Sequence, residues 1–170
     1  MDDAVFLIVF GAFAILYAGL RSKEIASLTW SMLSDAEGRL TDTLAIPNSA
    51  SKGHRGGREV PLPPELVRAL GRLYGTGKPA SARVILNSRG QPFGANGVAQ
   101  WFLRLYRALG FTGCSSHSGR RTAITNWARK ITAAGGSLRD VQSLAGHASL
   151  ADTQRYIDQS PEAKRRVVGM

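Results

Sequence analysis

The reading of this chain turns on Cys114-Ser115-Ser116-His117-Ser118-Gly119-Arg120-Arg121-Thr122, followed by Leu144-Ala145-Gly146-His147 and then by Thr153-Gln154-Arg155-Tyr156. With Ser115 or Ser116 as N-cap, a helix runs from His117 toward Lys130. His117 and Arg120, three residues apart, then project from one face of its first turn. His147 follows Gly146, and Tyr156 lies nine residues further on, on a short helix read over Leu150 to Ile157. A guanidinium, two imidazoles and a phenol near a helix N-terminus form a set suited to a phosphate.

His-x-x-Arg, then Leu-x-Gly-His, then a tyrosine nine residues beyond that histidine resembles the catalytic half of the tyrosine recombinase, or phage integrase, family. Two upstream motifs extend the likeness: Gly19-Leu20-Arg21-Ser22-Lys23-Glu24, and Lys52 in Ser51-Lys52-Gly53 ahead of Val60-Pro61-Leu62. The resemblance implies an α+β, mainly helical catalytic fold with a small three-stranded antiparallel sheet. It also implies double-stranded DNA as partner, no cofactor and no metal, and a tetramer on synapsed DNA. Family members commonly exchange a C-terminal element between subunits, here Ser160 to Met170. They also carry a preceding helical domain that closes a clamp on DNA. The expectation is a single catalytic domain over residues 1–170 with that core-binding domain absent, the chain being either a fragment or one of the short, catalytic-domain-only members, and DNA affinity correspondingly low and salt-sensitive.

Composition agrees with a polyanionic partner without specifying chemistry. The 170 residues carry 22 Lys plus Arg against 12 Asp plus Glu, a net charge of +10. The excess is uneven: residues 1–50 hold three basic and six acidic side chains, and the remainder holds 19 and six. Such a field attracts DNA or RNA alike. The single cysteine, Cys114, excludes an internal disulfide and a Cys-rich zinc site, and it suits the reducing cytoplasm. Length allows one domain with its own core.

Ala4 to Leu20 is uncharged and apolar. At seventeen residues it falls short of the roughly 20 that span a bilayer, and Asp2 and Asp3 stand where a signal peptide is positive. It reads as a buried helix, with no membrane association expected, and Gly19 ends it. A second helix, Ser22 to Leu28, turns Ile25 and Leu28 inward. Three short strands follow, Thr29 to Leu33, Leu40 to Ile46 and Arg58 to Leu62, with Pro47 to Gly57 as a basic glycine-rich connection. Pro63-Pro64 opens a helix over Glu65 to Leu73. Gly75-Thr76-Gly77-Lys78 lacks the companions of a Walker A loop. Ala95 to Leu109 is helical, with Val98, Phe102, Leu105 and Leu109 toward the core and Arg104 and Arg107 toward solvent or DNA. Ser137 and Asp140 form a capping box for Leu138 to Leu144.

By the resemblance, Tyr156 is the nucleophile, Arg21 and Arg120 clamp the scissile phosphate, and His117 manages the phenolic proton. His147 donates to a phosphate oxygen, Lys52 protonates the leaving 5′ oxygen, and Glu24 orients the site from behind. His54, Arg55 and Arg58 are other cations open to the Lys52 role. Arg55, Arg104, Arg107 and Arg121 are the candidate DNA contacts, Arg121 pointing about 100° away from Arg120 on the helix. Ser49-x-x-Lys52 mimics a penicillin-binding motif but lies in a loop without its companion motifs. Two other readings compete with a DNA-cleaving and rejoining enzyme. One is a truncated, catalytically weak or inactive DNA-binding module; the other is a basic RNA-binding or membrane-associated protein.

Overall fold

The computed structural model describes residues 18–50, 57–75, 77–87, 89–157, 165, 168 and 169. The helix expected over Ala4 to Leu20 falls largely outside them, as do Lys52, His54, Arg55 and most of the segment Ser160 to Met170. The elements in chain order are α1 (Ser22–Ser27), β1 (Thr43–Ile46), β2 (Arg58–Pro61), α2 (Pro64–Tyr74), α3 (Ala95–Ala108), α4 (Ser116–Lys130), α5 (Leu138–Ala145) and α6 (Leu150–Gln154). Among the described residues, no helix is long and apolar enough to cross a membrane.

Two of the three expected strands form. β1 and β2 pair antiparallel, with Leu44 opposite Val60 and Ile46 opposite Arg58. The Thr29 to Leu33 segment is instead a 3-10 turn over Trp30–Met32, reduced to one bridge between Thr29 and Arg83. The physical reason lies in its apolar spacing. Trp30 and Leu33 are the fully buried pair, and a three-residue separation puts both side chains on one face of a 3-10 turn but on opposite faces of a strand. Trp30 also packs its ring on Tyr74, centroids 4.8 Å apart.

The main core gathers Leu20, Ile25 and Leu28 with Leu44, Val60, Leu66, Leu70, Val98 and Phe102. α2 reaches it through Leu66 and Leu70, one turn apart, and Pro63 and Pro64 start that helix where no intrahelical N–H is needed. α1 packs on α3. α3 runs outward at its end: Val98 and Phe102 are buried, whereas Leu109, expected inside, is exposed at the C-cap. A second, smaller cluster of Ile124, Val141 and Ala145, with Trp127, Ala128, Ile131 and Tyr156 against it, holds α4, α5 and α6 together.

Local chemistry fixes the helix starts around the site. The Ser115 N–H donates to Ser118 Oγ at the head of α4. Asp140 Oδ2 receives the Ser137 N–H at 2.7 Å and its hydroxyl at 2.9 Å at the head of α5. Burial, caps and periodicity agree there. Gly146 ends α5 in the left-handed conformation, which glycine adopts at little steric cost.

Candidate active site

The site lies along the seam between the two clusters. Its organising feature is the C-terminal end of α5, where carbonyls have no intrahelical partner and carry the negative end of the helix dipole. Three successive carbonyls there each accept from a different arginine. Leu144 O takes Arg58 Nε at 2.9 Å, Ala145 O takes Arg120 Nη2 at 2.6 Å, and Gly146 O takes Arg21 Nη2 at 2.9 Å. Arg120 Nη1 donates in addition to Gly19 O, which ties α4 to the turn before α1. Gly19 has φ +58°, and a Cβ there would come within 2.7 Å of Trp127. Its lack of a side chain therefore permits the close approach.

Arg21 and Glu24 occupy the first turn of α1. The Arg21 N–H donates to Glu24 Oε2 at 2.7 Å and Arg21 Nη1 to Glu24 Oε1 at 2.8 Å. Glu24 is 1% exposed and also receives Arg58 Nη1 and Nη2, at 2.8 and 2.9 Å. Burial by itself raises the Glu24 pKa. The hydrogen bonds and charge of Arg58, then of Arg21, outweigh it and hold the carboxyl below its ordinary range. Arg120 is buried, and desolvation with the neighbouring Arg21 charge lowers its pKa to about 10, so it stays a cation at neutral pH.

Tyr156 follows α6 and is partly buried against the small cluster. Its ring stacks on His147 at a centroid distance of 5.4 Å and an interplanar angle of 21°, and its carbonyl accepts from Thr125 Oγ1 at 3.2 Å. Tyr156 lies near enough to Arg120 that a phenolate there would favour the charged guanidinium. His147 Nδ1 lies 3.0 Å from Thr153 Oγ1. Burial, then the charges of Arg120 and Arg21, lower the His147 pKa to about 4. The imidazole is therefore neutral at physiological pH. When Nδ1 accepts from the Thr153 hydroxyl, Nε2 carries the proton and can donate it to an anion.

The structure thus brings together Arg21, Glu24, Arg120, His147 and Tyr156. His117 is exposed on the first turn of α4 and makes no hydrogen bond or ring contact among the described residues. Its neighbour Ser116 accepts a hydrogen bond from Ser22 at 2.9 Å, which fastens the head of α4 to the head of α1. Arg104 and Arg107 on α3 and Arg121 on α4 are exposed. Lys52 and Arg55 lie outside the described residues. Among those described, no cluster of three or more His, Cys, Asp or Glu side chains is arranged to hold a metal ion.

Two polar members of the site escaped the motif reading. Arg58 was weighed only as a substitute for Lys52, yet period-two alternation puts it on the same strand face as Val60, which is the buried face. Thr153 is fully buried. It stands three residues before Tyr156, about one helical turn back, and only its contact with His147 reveals a function.

The helices around a two-stranded hairpin, with paired guanidiniums beside a histidine and tyrosine, make up the tyrosine recombinase catalytic fold. The chain belongs to the phage integrase family, whose model matches residues 10–163. Tyrosine recombinase XerC of Pelobacter propionicus is 36% identical over 107 residues, covering 60% of this chain and 34% of that protein. Tyrosine recombinase XerC of Bacillus pumilus is 34% identical over 163 residues, covering 89% of this chain and 50% of that one. The chain thus spans from about a third to half of the length of these curated relatives. Among solved structures, XerA recombinase aligns with a TM-score of 0.68 at 24% identity, covering 98% of this chain and 61% of that chain. The Tn1549 transposon integrase in complex with transposon right end DNA aligns with a TM-score of 0.72 at 19% identity, covering 99% and 61%.

Proposed function

We propose that this chain is the catalytic part of a site-specific recombinase that cleaves and rejoins double-stranded DNA through a 3′-phosphotyrosyl intermediate. The observation that carries the reading is the hanging of Arg21 and Arg120 from adjacent carbonyls at the end of α5, beside the stacked His147–Tyr156 pair. Two guanidiniums fixed in this way offer a preorganised positive site to the non-bridging oxygens of a phosphodiester. Such groups count most where charge accumulates, in the five-coordinate transition state.

Tyr156 Oη attacks phosphorus as the bond to the 5′ oxygen breaks, and one phosphodiester is exchanged for another. The phenolic proton leaves during attack, with His117 as its acceptor, and Lys52 delivers a proton to the departing 5′ oxygen. His147, neutral at working pH, donates Nε2–H to a phosphate oxygen. Glu24 holds Arg21. Reversal by a 5′ hydroxyl from a partner strand restores the DNA, so the cycle needs no nucleotide hydrolysis.

Arg55, Arg104, Arg107 and Arg121 contact the DNA backbone in the same reading, and a tetramer on synapsed DNA, joined through the C-terminal segment, is its working form. The relatives are bacterial, and action on DNA in the cytoplasm belongs to the same reading.

A suicide duplex, nicked so that the cleaved 5′ fragment diffuses away, tests the reading. The expected result is a covalent protein–DNA adduct that withstands denaturing electrophoresis and chelator and disappears in Tyr156→Phe. DNA binding without adduct in the unmodified protein would identify a non-catalytic DNA-binding module instead.

A further inference from the structure

We propose that Arg58 is a positioning residue of the phosphate site, supplying the buried countercharge that leaves the charge of Arg21 available to an anion. The inference rests on the recombinase reading above. Its side chain is 5% exposed, and all three of its guanidinium nitrogens already donate to acceptors within the protein, which leaves none free for a phosphate. Among the described residues, its side-chain hydrogen bonds go to Glu24, which also holds Arg21, and to the end of α5. Nη1 and Nη2 donate to the two oxygens of Glu24, and Nε donates to Leu144 O, two residues before the Gly146 carbonyl that receives Arg21.

Charge explains why one arginine is insufficient. A buried carboxylate needs a cation. If Arg21 were the only one, its charge would be largely neutralised by Glu24 and little net field would face the phosphate. With Arg58 bridging both carboxylate oxygens, the Glu24 charge is balanced from below. Arg21 is then oriented by Glu24 without being cancelled by it. Arg58 also lies against Gly146: a Cβ there would stand 2.8 Å from Nη1 and 3.1 Å from Cδ. The guanidinium thus braces the backbone turn whose carbonyls set Arg120 and Arg21.

The test uses Arg58→Met, Arg58→Lys and the double variant Glu24→Gln/Arg58→Met, each assayed for urea midpoint, DNA affinity and rate of adduct formation on the nicked duplex. Arg58→Met is expected to slow adduct formation on the order of 10²-fold, the size seen when one preorganised donor is lost, with DNA affinity nearly retained. The double variant removes the buried ion pair as a unit. It is expected to recover the urea midpoint while its adduct rate stays at least about tenfold below wild type. Recovery of adduct rate together with stability would reduce Arg58 to a structural role and overturn the proposal, as would a wild-type rate in Arg58→Met.

Should Arg58→Met fail to fold, Arg58→Lys decides. It keeps the charge but cannot bridge both oxygens and Leu144, so a rate about tenfold down is expected and an unchanged rate overturns the proposal. A wild-type protein that forms no adduct defeats the recombinase reading, not this one. In that case the 15N guanidinium signals of Arg21 are compared in wild type and Arg58→Lys. Loss of their protection from exchange in the variant supports the proposal, and unchanged protection overturns it.

Discussion

The two apolar clusters differ in size and in what they carry. The larger, from Ala18 to Phe102, fixes Arg21, Glu24 and Arg58 on α1 and β2. The smaller has Ile124, Val141 and Ala145 as its fully buried members, and it supports Arg120, His147 and Tyr156. In the proposed reading the groups that would hold a phosphate therefore come from both sides, and Tyr156, the proposed nucleophile, sits on the thinner one. Across the seam the connection is polar: guanidiniums from both halves meet the carbonyls at the end of α5. A directional joint of this kind fixes the relative geometry of Arg21 and Arg120, while a segment held by few apolar contacts, as around Tyr156, opens more easily.

The largest effect should come from breaking the joint on the thin side. Arg120→Lys keeps a cation but cannot donate to Gly19 and Ala145 together while also meeting a phosphate. Adduct formation should fall on the order of 10²- to 10³-fold with DNA affinity largely retained. Unchanged cleavage rates on the nicked duplex would show that the guanidinium fork is not holding the phosphate.

The asymmetry of the cores can be sharpened next. Ile124→Ala should cost about 2–3 kcal/mol, at the lower end for such truncations because a small cluster can partly collapse. Hydrogen exchange should show α4, α5 and α6 opening in that variant while α1 and α3 stay protected. Uniform loss of protection would mean that the clusters unfold as one unit.

A smaller change is expected at the support of His147. Thr153→Val removes the hydroxyl beside Nδ1 at nearly constant volume. Losing about 1 kcal/mol of orientation corresponds to a roughly fivefold slower adduct formation, with Thr153→Ser close to wild type. Equal rates in all three would separate Thr153 from the chemistry.

The smallest effect concerns acid. The folded-state pKa of His147 is about 4, against about 6.5 for an unfolded histidine. Between those values the unfolded chain binds a proton that the folded one refuses, so stability declines as pH falls from 6.5 to 4. Glu24, held below its ordinary range, adds a second loss at lower pH, as the solution passes through its depressed pKa. Urea midpoints at pH 7 and 5 should therefore differ less in His147→Gln than in wild type. An identical difference would place the titrating group elsewhere.

Much of the helical frame was legible from local chemistry. Pro63-Pro64, Ser115 and the Ser137/Asp140 pair mark helix starts, and Leu66 with Leu70 marks a buried face. Thr29 to Leu33 was not legible, because a short stretch alternating Thr29 and Ser31 with Trp30, Met32 and Leu33 fits a strand or a turn until Trp30 and Leu33 meet a core. Leu109 likewise follows the helical period of α3, but the core ends before it does.

The sequence alone pointed to the family and nominated Arg21, Lys52, His117, Arg120, His147 and Tyr156, with Glu24 behind them, as the positions to test, because side-chain type and spacing along one chain carry that information. Only the tertiary structure decided that Arg58 lies beneath Glu24, that Thr153 backs His147, and that His117 faces outward while Arg120 is buried. Those facts depend on which carbonyls and carboxylates meet across distances of up to about a hundred residues. Local propensity does not encode such meetings. The demand of each buried polar group for a partner does.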